Sequence, residues 1–252
     1  DDDVESPTPP PATAAAITLR GLRKVYPPSS TSTTTNPKEI TKADTIALDG
    51  IDLDVNEGEI FGLVGANGSG KTTTINMVTG ALKPDEGAIV VEGADMARSP
   101  AHLYARRGVA RTFQVPRLFR RMTVLENLMV PALSDATARH GPAEERAREV
   151  LGFLRLDHLA DDYARTLSGG QQKLLELGRA LMLKPRLLLL DEPFAGVHPR
   201  LLEQIAEHIR TLNRDGHTIV LVDHNLEAIQ SVVQRVMVMA RGRKIADGAA
   251  AE

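Results

Sequence analysis

Residues 65–72 read GANGSGKT and constrain this chain more than any other stretch. They fit the spacing G-x-x-x-x-G-K-[ST], which has a physical reason. Gly65, Gly68 and Gly70 let the backbone curl so that successive N–H groups point at one anion. A helix expected over residues 71–82, with apolar Ile75, Val78 and Leu82, offers its positive end to the same anion. Lys71 is placed to reach the β- and γ-phosphates of a nucleotide, and the Thr72 hydroxyl to bind Mg2+. Ala66, Asn67, Ser69 and Thr73 complete this candidate cofactor-binding loop. A chance match is expected in about one of a hundred chains of this length. The context adds to it, because a short apolar strand at residues 59–64 (EIFGLV) comes first and a helical pattern follows.

Composition closes off other readings. The 252 residues suffice for one large domain or two small lobes with a real core. With 30 basic and 33 acidic side chains the net charge is −3, so no global basic field points to a nucleic-acid partner. The absence of cysteine excludes a disulfide framework, a cysteine nucleophile and thiolate metal sites. Only 3% of residues are aromatic and none is Trp, which argues against a base-stacking platform. No apolar run approaches the ~20 residues that cross a bilayer.

Residues 1–16 are acidic and proline-rich and read as a disordered lead-in, with order beginning near Ile17. Residues 27–45 (PPSSTSTTTNPKEITKADT) read as a flexible surface insertion between two strand-like segments, 17–26 and 46–60. Residues 87–92 return to strand. From about 96 to 184 helical patterns are expected, at 123–129, 142–153 and 168–183. The runs 187–190 and 219–222 are continuously apolar, as buried parallel strands are. Residues 199–212 between them read as a helix, and 236–240 with 244–246 as a closing hairpin. The expectation is an α/β core over 17–95 and 185–252, interrupted by a helical subdomain over about 96–184.

Two further motifs carry chemistry. LLLLDE at 187–192 is an apolar strand ending in two carboxylates. In a parallel sheet its carboxyl end lies beside the phosphate loop, where Asp191 suits Mg2+ and Glu192 suits a base for an attacking water. LSGGQQ at 167–172 precedes another helix. Ser168 is a good N-cap, and Gly169 and Gly170 admit close approach of an anion. This second cradle cannot serve the Lys71 phosphate from the same side, but it can across a sandwich of two molecules.

Together these motifs resemble an ATP-binding cassette (ABC) ATPase, and the resemblance runs from about Ile17 to the end, apart from the Ser/Thr-rich insertion. It implies a phosphate-loop NTPase fold: a RecA-like core, an antiparallel β subdomain and an inserted α-helical subdomain. It implies that ATP is held between two cassettes, with Ser168, Gly169, Gly170 and Gln171 of one facing the phosphate loop of the other. Tyr26 takes the place of the ring that stacks on adenine, with Ile46 opposite it. Gln114, in RTFQVP, takes the place of the glutamine that joins the Mg2+ and water shell with Thr72 and Asp191. His224, in LVDHN, takes that of the histidine on the γ-phosphate, so Glu192, His224 and Gln114 form the expected catalytic set. His198 departs from the pattern, standing where many members carry a small acidic or amide residue.

The stretch 108–130 (GVARTFQVPRLFRRMTVLENLMV) is similar to the ATPase subunits of branched-chain amino-acid importers and their relatives. EPFAGVHP and LVDHN resemble lipopolysaccharide-export ATPases instead; RTFQ weighs more, because it sits at the permease contact. The resemblance implies hydrolysis of Mg-ATP at the cytoplasmic face of the inner membrane. Its implied partners are a second, paralogous cassette, two integral membrane permease subunits and an external solute-binding protein. Val115, Leu118, Phe119, Met122 and Leu125 are expected at the permease groove, with Phe119 and Met122 the surface members. Family members usually continue past ADGAAAE with a short helix, so a further tail is expected. A soluble ABC ATPase acting on DNA or the ribosome would need a second cassette or a coiled coil in the chain.

Overall fold

A computed structural model describes residues 14–27, 44–132, 140–224 and 226–250. Most of the lead-in 1–16 and of the insertion 27–45 therefore lies outside the described residues.

The strands form two sheets. Strands β1 (Ala15–Tyr26), β2 (Thr45–Asn56), β4 (Glu86–Val91) and β5 (Ala94–Asp95) make an antiparallel sheet in the order β2-β1-β4-β5. The second sheet has the order β10-β9-β3-β8-β7-β6. Its members are β3 (Ile60–Val64), β6 (Val109–Arg111), β7 (Leu187–Asp191), β8 (Thr218–Asp223), β9 (Arg235–Ala240) and β10 (Arg243–Ala249). All its pairings are parallel except that of β10 with β9.

Burial on both faces explains why β3, β7 and β8 read as unbroken apolar runs. Along β3, Phe61 and Leu63 enter one core while Ile60 and Val64 enter another; along β7, Leu187 and Leu189 oppose Leu188 and Leu190 in the same way. The first core lies toward the antiparallel sheet and α1 (Lys71–Val78), and includes Leu19, Leu48, Ile75 and Ile89. The second lies toward the helices α3 (Val124–Ala132), α4 (His140–Leu154), α5 (Gly169–Leu181) and α6 (Pro199–Arg214). Residues Leu128, Leu154, Leu174 and Ile209 all belong to it.

Several elements differ from the sequence expectation. Helix α1 stops at Val78, not 82, because Gly80 takes φ +67° just beyond it, as a helix-ending glycine does. The stretch 96–184 is not wholly helical: after α2 (Ala101–Arg106), β6 pairs with β7 and joins the core sheet. Three residues are too few to show a period. A short helix α7 (Leu226–Gln230) was not anticipated either.

Candidate nucleotide-binding site

Register brings the motifs together. Val64 pairs with Asp223, and Asp191 with Val222, so β3, β8 and β7 end side by side. The loop 65–70, the pair Asp191-Glu192 and the pair Asp223-His224 thus leave one sheet edge at its carboxyl end, where ligands of parallel sheets lie.

The loop is shaped for close approach. A Cβ on Gly65 would collide with the Met239 carbonyl, and one on Gly70, at φ +105°, would sit 2.8 Å from the Ala47 carbonyl. Lys71 is buried at the start of α1, and its ammonium donates to the carbonyls of Gly65 and, at 3.1 Å, of Ala66. Burial lowers its pKa against the pull of the Glu192, Asp223 and Asp191 carboxylates. The buried Ser69 hydroxyl has no hydrogen-bond partner among the described residues. Beside a positive helix end, a cation that among the described residues hydrogen-bonds to backbone carbonyls, and a hydroxyl without a partner, fit a phosphate. Thr72 is exposed on the first turn of α1.

Strands β7 and β8, the loop that carries Gln114 and helix α5 converge on Glu192. Its carboxylate accepts from Gln114 Nε2 at 2.8 Å and lies 3.3 Å from His224 Nδ1. Its backbone sits at φ +48°, where non-glycine residues are strained. Its N–H donates to the Val222 carbonyl at 2.7 Å, and its own carbonyl accepts from Lys173 Nζ at 2.6 Å. The neighbouring Asp191 is buried 3.5 Å from the Arg111 guanidinium, and its N–H donates to the Thr112 hydroxyl. Burial raises its pKa, while Arg111 and Lys71 pull it down. Thr72, Gln114 and Asp191 supply oxygen donors of the hard kind that suits Mg2+.

The second cradle stands apart. Ser168 caps α5: its hydroxyl accepts from the Gln171 N–H, and the Gln171 side chain accepts the Ser168 N–H at 2.8 Å. Gln171 is thereby committed to its own helix. Among the described residues, the side chains of 168–171 make no hydrogen bond to residues 65–73, and Ser168 and Gly169 face solvent. Tyr26 ends β1 with its ring 39% exposed, one register step from Ile46 on β2. His198 caps α6, its Nδ1 accepting from the Arg200 N–H at 3.3 Å, a job open to the acidic or amide residues it replaces.

The segment carrying Gln114 is held by buried polar groups. Glu176 accepts the Arg117 N–H, and the fully buried Asn127 accepts the Phe119 N–H and donates to the carbonyls of Phe119 and Thr123. The Phe113 ring lies between the guanidiniums of Arg111 and Arg117, at 4.5 and 4.2 Å. Val115 is 75% and Phe119 45% exposed, whereas Met122 is half-buried and Leu118 and Leu125 pack on the core. Phe119 is at the surface as expected; Val115, not Met122, accompanies it. Sequence reasoning missed Lys173, Arg111, Thr112 and Asn127. Each acts through a tertiary contact: Arg111 and Thr112 stand beside Gln114 in RTFQVP and Lys173 just after LSGGQQ, but the spacing of those motifs does not show what these side chains meet.

A phosphate loop joined to a carboxylate-tipped strand, within a mostly parallel sheet, defines a nucleotide-binding ATPase. The family model for ABC transporters matches residues 48–195. The chain is 41% identical over 215 residues to a probable branched-chain amino acid transport ATP-binding protein, LivG, of Methanocaldococcus jannaschii, covering 80% of this chain and 83% of that one. It is 38% identical over 207 residues to the lipopolysaccharide export system ATP-binding protein LptB of Escherichia coli K12, covering 81% and 85%. The crystal structure of the ADP conformation of MJ1267, an ATP-binding cassette of an ABC transporter, superposes with a TM-score of 0.80 at 34% identity, covering 94% and 92%. This chain belongs to the ABC transporter ATP-binding family. It is an ATP hydrolase, its fold is that of the phosphate-loop cassettes, and its work is done with membrane permeases.

Proposed function

We propose that this chain powers uptake of a branched-chain amino acid or a similar small polar or organic solute. The LivG relative at 41% identity and the RTFQ segment support that direction. The partners in this reading are a second, paralogous cassette, two permeases and an external solute-binding protein. The chain lies on the cytoplasmic face of the inner membrane. Among the described residues no helix is long and apolar enough to cross a bilayer.

One observation carries the hydrolytic mechanism: the Glu192 carboxylate stands between Gln114 and His224 at the strand edge that bears the phosphate loop. ATP lies along residues 65–73 with its adenine on Tyr26. Lys71 gives up backbone carbonyls for phosphate oxygens. Thr72, Gln114 and Asp191 would hold Mg2+, which when bound would neutralise phosphate charge. Ser168, Gly169 and Gly170 of the partner cassette, the first two exposed, complete the γ-phosphate shell, since in their own chain they do not meet the loop. Glu192 orients the attacking water and accepts its proton, and His224 donates to the γ-phosphate.

Glu192→Gln should bind ATP and dimerise but turn over at least about a hundredfold more slowly, measured as phosphate release from purified protein. Turnover at the wild-type rate removes Glu192 from the mechanism. The 38% identity to LptB supports a second reading, energising lipid export. Mass spectrometry of what co-purifies from native membranes separates the two. A paralogous cassette with a solute-binding protein supports import, and a homodimer with lipid-transport components supports export.

A further inference from the structure

Glu192 is held by its backbone as well as by its side chain, and one of its three backbone bonds comes from an unexpected element. On the N-terminal side of its Cα, the N–H donates into the sheet, to Val222. On the C-terminal side, its carbonyl accepts from the ammonium of Lys173, at 2.6 Å, across 19 residues of chain. Between these two bonds the residue sits at φ +48°. A non-glycine residue keeps such a conformation only where its surroundings over-determine it. The same carbonyl also accepts the Ala195 N–H, at a longer 3.3 Å. Without the shorter Lys173 bond only this local turn contact holds the peptide after Glu192, and the carboxylate loses part of what keeps it at Gln114 and His224.

Lys173 lies on the first turns of α5, close behind the capping pair Ser168 and Gln171. It is only partly exposed, and its ammonium feels the carboxylates of Asp223, Glu192, Glu176 and Asp191. The helix that begins with the exposed cradle thus reaches by one side chain into the hydrolytic edge of its own chain. We infer that Lys173 is a positioning residue for ATP hydrolysis: it fixes the Glu192 main chain and ties the placement of α5 to that of the Glu192 carboxylate. A shift of α5, such as closure on a partner cassette would impose, then moves or steadies the group that activates water.

This inference rests on the proposed role of Glu192, so the test includes that residue. Lys173→Met, Lys173→Arg and Glu192→Gln are compared with the wild-type chain for steady-state ATP hydrolysis, equilibrium ATP binding and thermal unfolding. Lys173→Met should lower kcat about tenfold or more, with ATP affinity within about twofold of wild type. Lys173→Arg, which keeps a donor of similar reach, should recover most of the loss. Wild-type kcat in Lys173→Met overturns the inference. So does loss of ATP binding or of the folded state together with kcat, which would make the lysine structural. An arginine variant no better than the methionine one overturns it as well. If Glu192→Gln is inactive while Lys173→Met is normal, only the lysine inference fails; if Glu192→Gln turns over normally, both fail.

Discussion

Lys71 shows what single side chains give up for function. It carries a charge into a buried position, where it donates to the Gly65 and Ala66 carbonyls and feels the Glu192, Asp223 and Asp191 carboxylates from a distance. Desolvation is the dominant influence on it. Removing the charge therefore costs the nucleotide-free fold little, whereas a bound phosphate loses its main cation. Lys71→Met should keep or raise the thermal midpoint while ATP affinity falls about tenfold or more, read by calorimetric titration. At this scale the motif residues were legible, because phosphate chemistry demands particular side chains at fixed spacing. Lys173 was not: a lysine on a helix is ordinarily solvated, and only folding brings it to Glu192. His198 was legible as a departure, but its use as a helix cap emerged only with the backbone around it.

Among the elements, the segment between β6 and α3 depends on a few buried polar anchors. Asn127 has no exposed surface and satisfies the N–H of Phe119 and the carbonyls of Phe119 and Thr123. Asn127→Leu keeps the branched shape but orphans those groups. It should cost about 2 kcal/mol in denaturant unfolding and loosen the stretch that carries Gln114, raising its amide exchange. Elements long enough to show a period were legible: β3, β7 and β8 as continuous apolar runs, α5 and α6 as helices. Both β6 and α7 were not, since three and five residues cannot display one. The end of α1 was misplaced because apolar Leu82 continued the pattern past Gly80, whose positive φ breaks it.

For the whole molecule, stability should fall on mild acidification through His208. This imidazole is buried on α6 beside the Phe153 ring of α4, at 4.8 Å between centroids, with Gln204 at 3.3 Å. Burial, then the nearby Arg155, lowers its pKa below the ordinary 6.5, against the opposing pull of Glu207. Above that value neither folded nor unfolded chain is protonated there, and pH has no effect. Below it the unfolded chain takes up a proton that the folded one resists, so stability drops until the folded value is passed. His208→Leu should flatten this part of the stability curve as the pH falls below about 6.5, measured as the change in thermal midpoint.

The paired strands β6 and β7 carry a consequence for how such chains can be recombined. Residues 112–186 depart from β6 and come back on β7, its hydrogen-bonded neighbour at the sheet edge. Because the two strands run parallel, the segment leaves at one end of the pair, where Thr112 meets Leu189, and returns at the other, where Arg186 meets Gly108. A graft taken from a relative has only two peptide joins to match, and the interior strands β3 and β8 are untouched. It must bring its own counterparts of Gln114 and Lys173, because both reach back to Glu192. A chimera built on those terms would keep one chain's hydrolytic edge and acquire another's choice of membrane partner.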